Sequence, residues 1–330
     1  MSCDVKSGQE PDLSVPIGRV RLKNPVLTAS GTCGYGLEYA PLADLSRLGG
    51  FTTKSVTLRP RMGNPPPRVV EVPGGMLNAI GLANVGVEEF MSKKVPELAG
   101  LGTAVFVNVA GHCIEDYVEV CRRVDAAPAV SGIELNVSCP NVSDGLTFGT
   151  DAGLLGELVA AVRAVVTRGV LIVKLTPNVT DISVTAQAAI NAGAEALSMV
   201  NTFLGMAIDI ESRRPRLANN SGGFSGPAIR PMAIYLVHKV WREVARDAGV
   251  PIIGMGGVWT WQDAVEFMLA GASAVSVGTA LFVDPSTPIK IIDGLAAYLK
   301  RRGLNSVSAL VGAMIPRSPD EPGNRCNAAG

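Results

Sequence analysis

The sequence predicts an α/β fold, a (β/α)8 TIM barrel with long loop insertions at the C-terminal face of the strands. Three observations predict it. Eight short, nearly continuous apolar runs alternate with longer helix-like stretches, as parallel strands buried on both faces require. Polar residues collect at the ends of those runs, where a barrel builds its site. No stretch of distinct composition splits the 330 residues, and barrels of about 200–400 residues commonly form one domain. A doubly wound open sheet shares the alternation, and periodicity does not separate the two.

In chain order the strand candidates are residues 26–29, 51–56, 104–109, 133–137, 171–175, 196–200, 252–254 and 274–277. The helix-like stretches between and after them are 85–98, 114–124, 152–167, 182–191, 231–247, 261–270 and 288–301. In the third of these, Leu155, Leu158, Val159, Val162 and Val166 recur at three- and four-residue spacing, one face of a helix. Asp151, Asp181 and Thr260 stand where a side-chain oxygen caps the first free amides. Together these read as eight β-then-α units in one domain, residues 1–330. Two connections are long, 57–85 and 202–231, and their Gly, Pro and Asn content suits lids over a site. Residues 316–330 are polar and rich in Pro and Gly, and read as a flexible tail.

Composition narrows the function. Lys+Arg and Asp+Glu each number 29, with 47% hydrophobic and 18% charged residues. That can bury a large core, and the lack of a basic block argues against nucleic acid and anionic membrane as main partners. The 37 glycines and 22 prolines stay below the low-complexity range of about 25–30%. With only His112 and His238, a His-rich metal site or His-based triad is poorly supplied. Six cysteines contain no Cys-x-x-Cys, so zinc-ribbon and ferredoxin spacings are missing and reduced thiols are expected. The first residues lack a signal-peptide pattern and no apolar run reaches about 18 residues, so a cytoplasmic chain is expected.

The chemistry-bearing residues sit after the strands. Lys54 and Ser55 follow strand two, Asn108 strand three, and Asn136, Cys139 and Asn141 strand four. Lys174 lies on strand five, and Val200, Asn201 and Thr202 end strand six. A lone lysine there is ordinarily a solvated end. Two lysines and several asparagines at matching positions converge on one mouth. Gly256 and Gly257 follow strand seven, Gly278 and Thr279 end strand eight, and Gly226 lies in the preceding loop. Glycines there let backbone amides approach an anion, so a phosphate-bearing cofactor is expected. Lys174 suits the anionic pyrimidine edge of a reduced flavin. It also suits the nucleophile of a Schiff-base aldolase, and residue types leave both open. Cys139, in Asn-Val-Ser-Cys-Pro-Asn past a strand end, can act as a base on an acidified carbon once desolvated. Trp259 and Trp261, after the phosphate loop, read as packing for the next helix, with a subunit contact as the alternative, and His112 as a loop residue.

On these residues the chain resembles class 1 dihydroorotate dehydrogenase over nearly its whole length, most of all the NAD-linked class 1B form. The motifs are Ala-Ser30-Gly-Thr-Cys-Gly-Tyr-Gly, Thr-Thr-Lys54-Ser55, Asn78-Ala-Ile-Gly-Leu82-Ala-Asn84, Asn136-Val-Ser-Cys139-Pro-Asn141, Ile-Val-Lys174-Leu-Thr-Pro-Asn, Asn201-Thr202, Gly223-Phe-Ser-Gly226-Pro-Ala-Ile and Gly-Met-Gly256-Gly257-Val. Their order and spacing agree with the family. The resemblance implies one FMN held by Ser30, Lys54, Ser55, Asn108, Asn136, Lys174, Val200, Gly226, Gly256, Gly257, Gly278 and Thr279. It implies dihydroorotate held by Lys54, Asn78, Ala79, Ile80, Gly81, Leu82, Asn136, Asn141, Asn201 and Thr202. Cys139 would take the C5 proton while hydride passes from C6 to flavin N5, yielding orotate. Electrons would then leave through a partner subunit carrying FAD and a [2Fe–2S] cluster to NAD, in a heterotetramer built on a homodimer core. A fumarate-linked homodimeric form, a pyrimidine-reducing relative and a non-catalytic phosphate-binding barrel stand as alternatives beside the aldolase.

Overall fold

The computed structural model describes residues 10–36, 38–138 and 148–317. Eight parallel strands close into a barrel: β1 (Val26–Thr28), β2 (Gly50–Thr52), β3 (Ala104–Val109), β4 (Gly132–Asn136), β5 (Val170–Lys174), β6 (Ala196–Met199), β7 (Ile252–Met255) and β8 (Ala274–Val277). Each pairs with its sequence neighbour, and β8 returns to β1 with Val275 opposite Val26. The closed order excludes the open doubly wound sheet.

The helices lie in the connections. They are α1 (86–98), α2 (Ile114–Asp125), α3 (Ala152–Arg163), α4 (Ile182–Asn191), α5 (230–248), α6 (Trp261–Leu269) and α7 (Thr287–Arg302). Phe90–Lys94 in α1 and Trp241–Ala245 in α5 are single stretches of π-helix. The expected caps form. Asp151 accepts from Leu154 N at 2.8 Å, Asp181 from Ser183 N at 2.9 Å, and Thr260 makes a capping box with Asp263.

Three expectations are corrected. The first β-then-α unit has no α-helix among the described residues, only the 3-10 turn Leu45–Arg47. The helix expected to reach 167 stops at Arg163. Buried Asp125 explains this, because it accepts from the amides of Thr167, Arg168 and Gly169 at 2.7–2.9 Å and turns that segment toward β5. The strand expected over 51–56 ends at Thr52. Beyond it Thr53 N and Val56 N donate to Phe106 O and Asn108 O of β3 at 2.9 and 2.8 Å. Three steps along this chain thus match two along β3, a bulge that sets Lys54 and Ser55 apart from the ladder.

The core is one apolar cluster between strands and helices, with Tyr117, Phe51, Phe106 and Phe267 fully buried. An antiparallel hairpin, Val15–Ile17 with Val20–Leu22, covers the N-terminal end of the barrel. Its turn glycine, Gly18, lies against Val170 and Glu195 at the starts of β5 and β6. At the opposite end the two long connections, expected as loops, join in one antiparallel sheet. Phe203–Gly205, Gly222–Ser225, Gly75–Asn78 and Val69–Val72 follow one another across it. A methyl group on Gly223 would lie 2.1 Å from Thr202 Oγ1. The glycines that weakened the strand signal are what let this sheet seat on the end of β6.

Candidate active site

Strand alternation decides which side chains enter the barrel. Phe106 and Asn108 of β3 point inward, as do Gly132, Glu134 and Asn136 of β4. The contacts agree: Gly132 faces Val170 and Phe106, and Glu134 reaches across β5 to Ser198 of β6. The lower interior is apolar. Above it lies a buried polar layer, and above that the C-terminal rim.

Glu134 is the centre of the polar layer, 3% exposed. It accepts from Asn108 Nδ2 at 2.7 Å and from Ser198 Oγ at 2.7 Å. Ser55 Oγ, on the β2 bulge, donates to Asn108 Oδ1. Lys174 Nζ lies 3.9 Å from the Glu134 carboxylate and donates to Ser30 Oγ, past the end of β1, at 3.0 Å. Both charges are buried, so each compensates the other where water does not. No buried polar side-chain atom among the described residues lacks a partner. Ser30, Ser55, Asn108 and Lys174, expected from the sequence, thus stand together. Glu134 and Ser198 were not expected. The signal for Glu134 was a carboxylate inside the apolar run Gly-Ile-Glu-Leu-Asn, where a strand buried on both faces gives a charge no solvent.

At the rim, Asn201 Nδ2 donates to Asn136 Oδ1 at 3.3 Å and to Ser138 Oγ at 2.9 Å, so the ends of β4 and β6 present their amides side by side. Thr202 O accepts from Asn178 Nδ2 at 3.0 Å, and Asn178 Oδ1 receives Leu204 N at 2.9 Å. Asn178 therefore fixes the turn leading into the antiparallel sheet. Tyr117 OH donates to Asn136 O at 2.7 Å, and its ring meets Phe148 edge-on at 5.8 Å. One buried tyrosine thereby touches both the last residue of β4 and Phe148. Cys139 and Asn141 themselves lie outside the described residues, as do residues 318–330 of the expected tail.

Lys54 is held through its amide, which donates to Gly34 O at 2.9 Å. Burial first, and then the neighbouring Arg68, push its ammonium below the ordinary lysine value, against the pull of Glu38. Burial pushes the Cys33 thiol the other way, up to about 11, which keeps it a packed, unreactive group.

Asn78 to Leu82 sit on the antiparallel sheet and its edge rather than in the polar layer. Asn78 pairs with Gly223, its Nδ2 donating to Gly223 O at 3.4 Å. Ala79 N donates to Arg68 O at 2.8 Å, and Asn64 N donates to Ile80 O at 3.0 Å. Gly81 and Leu82 both have positive φ, 73° and 56°. Buried Asn84 then ties the segment to the barrel, accepting from Thr57 N and Gly86 N and donating to Leu82 O.

The ends of β7 and β8 are built differently. Gly226 and Gly256 have φ near 120°, and Gly257 has φ 81°. A Cβ on Gly256 would lie 2.9 Å from Ala233, and one on Gly257 2.9 Å from Gly226 O. The amides of Gly256, Gly257 and Gly278 donate no backbone hydrogen bond among the described residues. Thr279 Oγ1 donates to Ser225 Oγ at 2.8 Å and fastens this end to the antiparallel sheet. Val200 is buried, its amide donating to Met255 O at 3.1 Å. Free amides on Cβ-less backbone at strand ends are the parts from which anion cradles are built.

Trp261 packs on Tyr298 with ring centroids 5.5 Å apart, with Arg301 over its face, and Trp259 packs on the core. His112 lies at the rim within 2.7 Å of Arg61. No helix of the described residues is long and apolar enough to cross a membrane.

Comparison with known proteins fits this arrangement. The sequence profile of the dihydroorotate dehydrogenase family matches residues 12–299. A protein of Trichlorobacter lovleyi named dihydroorotate dehydrogenase B (NAD(+)), catalytic subunit, is 53% identical over 306 residues, covering 92% of this chain and 99% of its own. Proteins of the same name from Geotalea uraniireducens and Bacteroides fragilis are 51% and 50% identical, over 93% and 92% of this chain and 99% of theirs. A barrel with these residues at its mouth, matched by that profile and by relatives at half identity, belongs to the dihydroorotate dehydrogenase family.

Proposed function

We propose that this chain is the catalytic subunit of an NAD-linked dihydroorotate dehydrogenase, which oxidises dihydroorotate to orotate in pyrimidine biosynthesis. The observation that carries the reading is the meeting, at one barrel end, of a three-amide anion cradle with a buried lysine and a ring of carboxamides.

The residues fit FMN. The cradle of Gly226, Gly256, Gly257, Gly278 and Thr279 suits its phosphate, since Gly256 and Gly257 take positive φ where a Cβ would collide with Ala233 or with Arg230 and Gly226 O, so only glycine keeps these amides in place. Lys174, Ser30, Ser55, Asn108 and Asn136 suit the polar edge of its ring, with Lys54 and Val200 beside them. FMN, when bound, supplies a two-electron acceptor for the C6 hydride.

Dihydroorotate is a cyclic ureide with a carboxylate. Asn136, Asn141 and Asn201 offer amide donors and acceptors to the ureide, and Thr202 a hydroxyl. Lys54 offers a cation to the carboxylate, and Asn78 to Leu82 close over it from the antiparallel sheet. Leaving one such buried partner unmatched costs about 1–3 kcal/mol, which selects this substrate over less polar rings. Cys139, between Asn136 and Asn141 in sequence, takes the C5 proton.

The relatives are named catalytic subunits, which supports a second subunit for this chain. We assign that subunit FAD, a [2Fe–2S] cluster and the NAD reaction, on a homodimer of this chain, in the cytoplasm. The test is spectroscopic. Purified protein should carry flavin absorption bands that anaerobic dihydroorotate bleaches. A colourless protein whose added FMN is not bleached overturns the reading and returns the aldolase to consideration.

A further inference from the structure

We infer that Glu134 is a positioning residue for the flavin reaction: its carboxylate holds Asn108 in place and offsets the charge of Lys174, lowering the reduction potential of the bound flavin. The inference rests on the site reading above.

A structural role alone does not explain the residue. Closing a barrel interior needs shape and apolar area, and a buried ion pair is commonly no more stabilising than apolar residues of the same volume. Here the carboxylate stands in the same buried layer as the proposed cofactor contacts Asn108 and Lys174, 3% exposed. Its two hydrogen bonds come from neutral donors, Asn108 Nδ2 and Ser198 Oγ, each at 2.7 Å. Lys174 stands 3.9 Å away, outside hydrogen-bond range, and gives one bond to Ser30. The ammonium is therefore balanced by charge while its remaining donors are not taken up by Glu134. The result is a lysine that binds the ring edge without adding a full uncompensated charge. Asn108, whose Oδ1 accepts from Ser55 and whose Nδ2 donates to Glu134, cannot flip without turning its carbonyl oxygen onto the carboxylate.

A lone buried cation beside a flavin favours its anionic reduced form. A carboxylate behind that cation opposes the preference, so electrons leave more readily toward the next acceptor.

The experiment compares the FMN-loaded full chain with E134Q and E134L, using equilibrium reduction against a reference dye. Gln keeps the shape and still pairs with Asn108 and the Ser198 hydroxyl, and Leu removes the charge with no amide in its place. Both should displace the flavin equilibrium toward the reduced form by about tenfold, a rise of about 30 mV for a two-electron couple. E134D, which keeps the charge, should stay near wild type. Unchanged potentials in E134Q and E134L, or a fall, overturn the proposal. A wild-type chain that takes up no FMN overturns the site reading and this proposal with it, and that failure is seen before any variant is made.

Discussion

A thiol of ordinary pKa about 8.5 is mostly protonated at neutral pH, so Cys139 needs its surroundings to work as a base. If it takes the C5 proton, C139A should keep its bound flavin and lose about 10²–10⁴ in the rate of flavin reduction by dihydroorotate, measured by anaerobic stopped flow. Near-normal reduction would remove Cys139 from the mechanism. Lys54 brings a pH dependence of defined sign. Burial and Arg68 set its pKa below the ordinary 10.5, so its charged form is lost earlier than that of a free lysine. Dihydroorotate affinity should therefore weaken as pH rises through the alkaline range below 10.5, and K54M should bind weakly at every pH with no such slope. A wild-type affinity that is flat up to pH 10.5 would take Lys54 away from the substrate carboxylate. For folding the sign is the reverse: the ammonium is disfavoured in the folded chain, so its penalty applies below the folded pKa and fades as pH rises toward 10.5. At this scale the polar residues at strand ends were legible because a packed barrel does not ask for them. Glu134 was passed over because it lies inside the strand expected over 133–137, and only the closed barrel shows that its side chain points into the interior.

The glycine cradle belongs to the scale of elements, since no single residue makes it. It depends on β7 and β8 ending side by side and on Gly226 arriving from the antiparallel sheet with φ 122°. Gly257, with φ 81°, leaves no room for a methyl between Gly226 O and Arg230. G257A should therefore fold but bind FMN at least about tenfold more weakly, as backbone strain of about 1–3 kcal/mol is relieved by moving the amides. Fluorescence quenching on FMN addition measures this, and wild-type affinity in G257A would mean the phosphate lies elsewhere. The strands themselves were legible to within a residue or two, with one instructive exception. The run ending at Val56 looked like a single strand because its apolar ends, Phe51 and Val56, bracket Thr, Lys and Ser. The bulge that separates them appears only in the pairing with β3, which local sequence does not encode. The antiparallel sheet over the site was hidden for a related reason. Its strands come from two connections far apart in sequence, each short and glycine-bearing, so neither shows the alternation of a strand alone.

For the molecule as a whole, the proposed division of labour sets a limit on what this chain does alone. Binding to the folded state alone raises stability by RT ln(1 + [L]/Kd), about 2.7 kcal/mol at one hundred times Kd. Saturating FMN should therefore raise the melting temperature by several degrees, and an unchanged melting curve would contradict a cofactor site built from the ends of eight strands. NAD reduction is a separate demand. A nicotinamide must reach a flavin, and its pyrophosphate needs a cradle of its own. Among the described residues the cradle at β7 and β8 is already assigned to FMN, and the sequence has no cysteine spacing for a cluster that would carry electrons onward. The isolated chain, reduced by dihydroorotate, should pass electrons to small artificial dyes and leave NAD+ unreduced. Adding an iron–sulfur flavoprotein that co-purifies with it should restore NADH formation at 340 nm. Robust NADH formation by the chain alone would refute the division of labour while leaving dihydroorotate oxidation intact, because the two are read by different signals: flavin bleaching for the first half-reaction, NADH absorbance for the second.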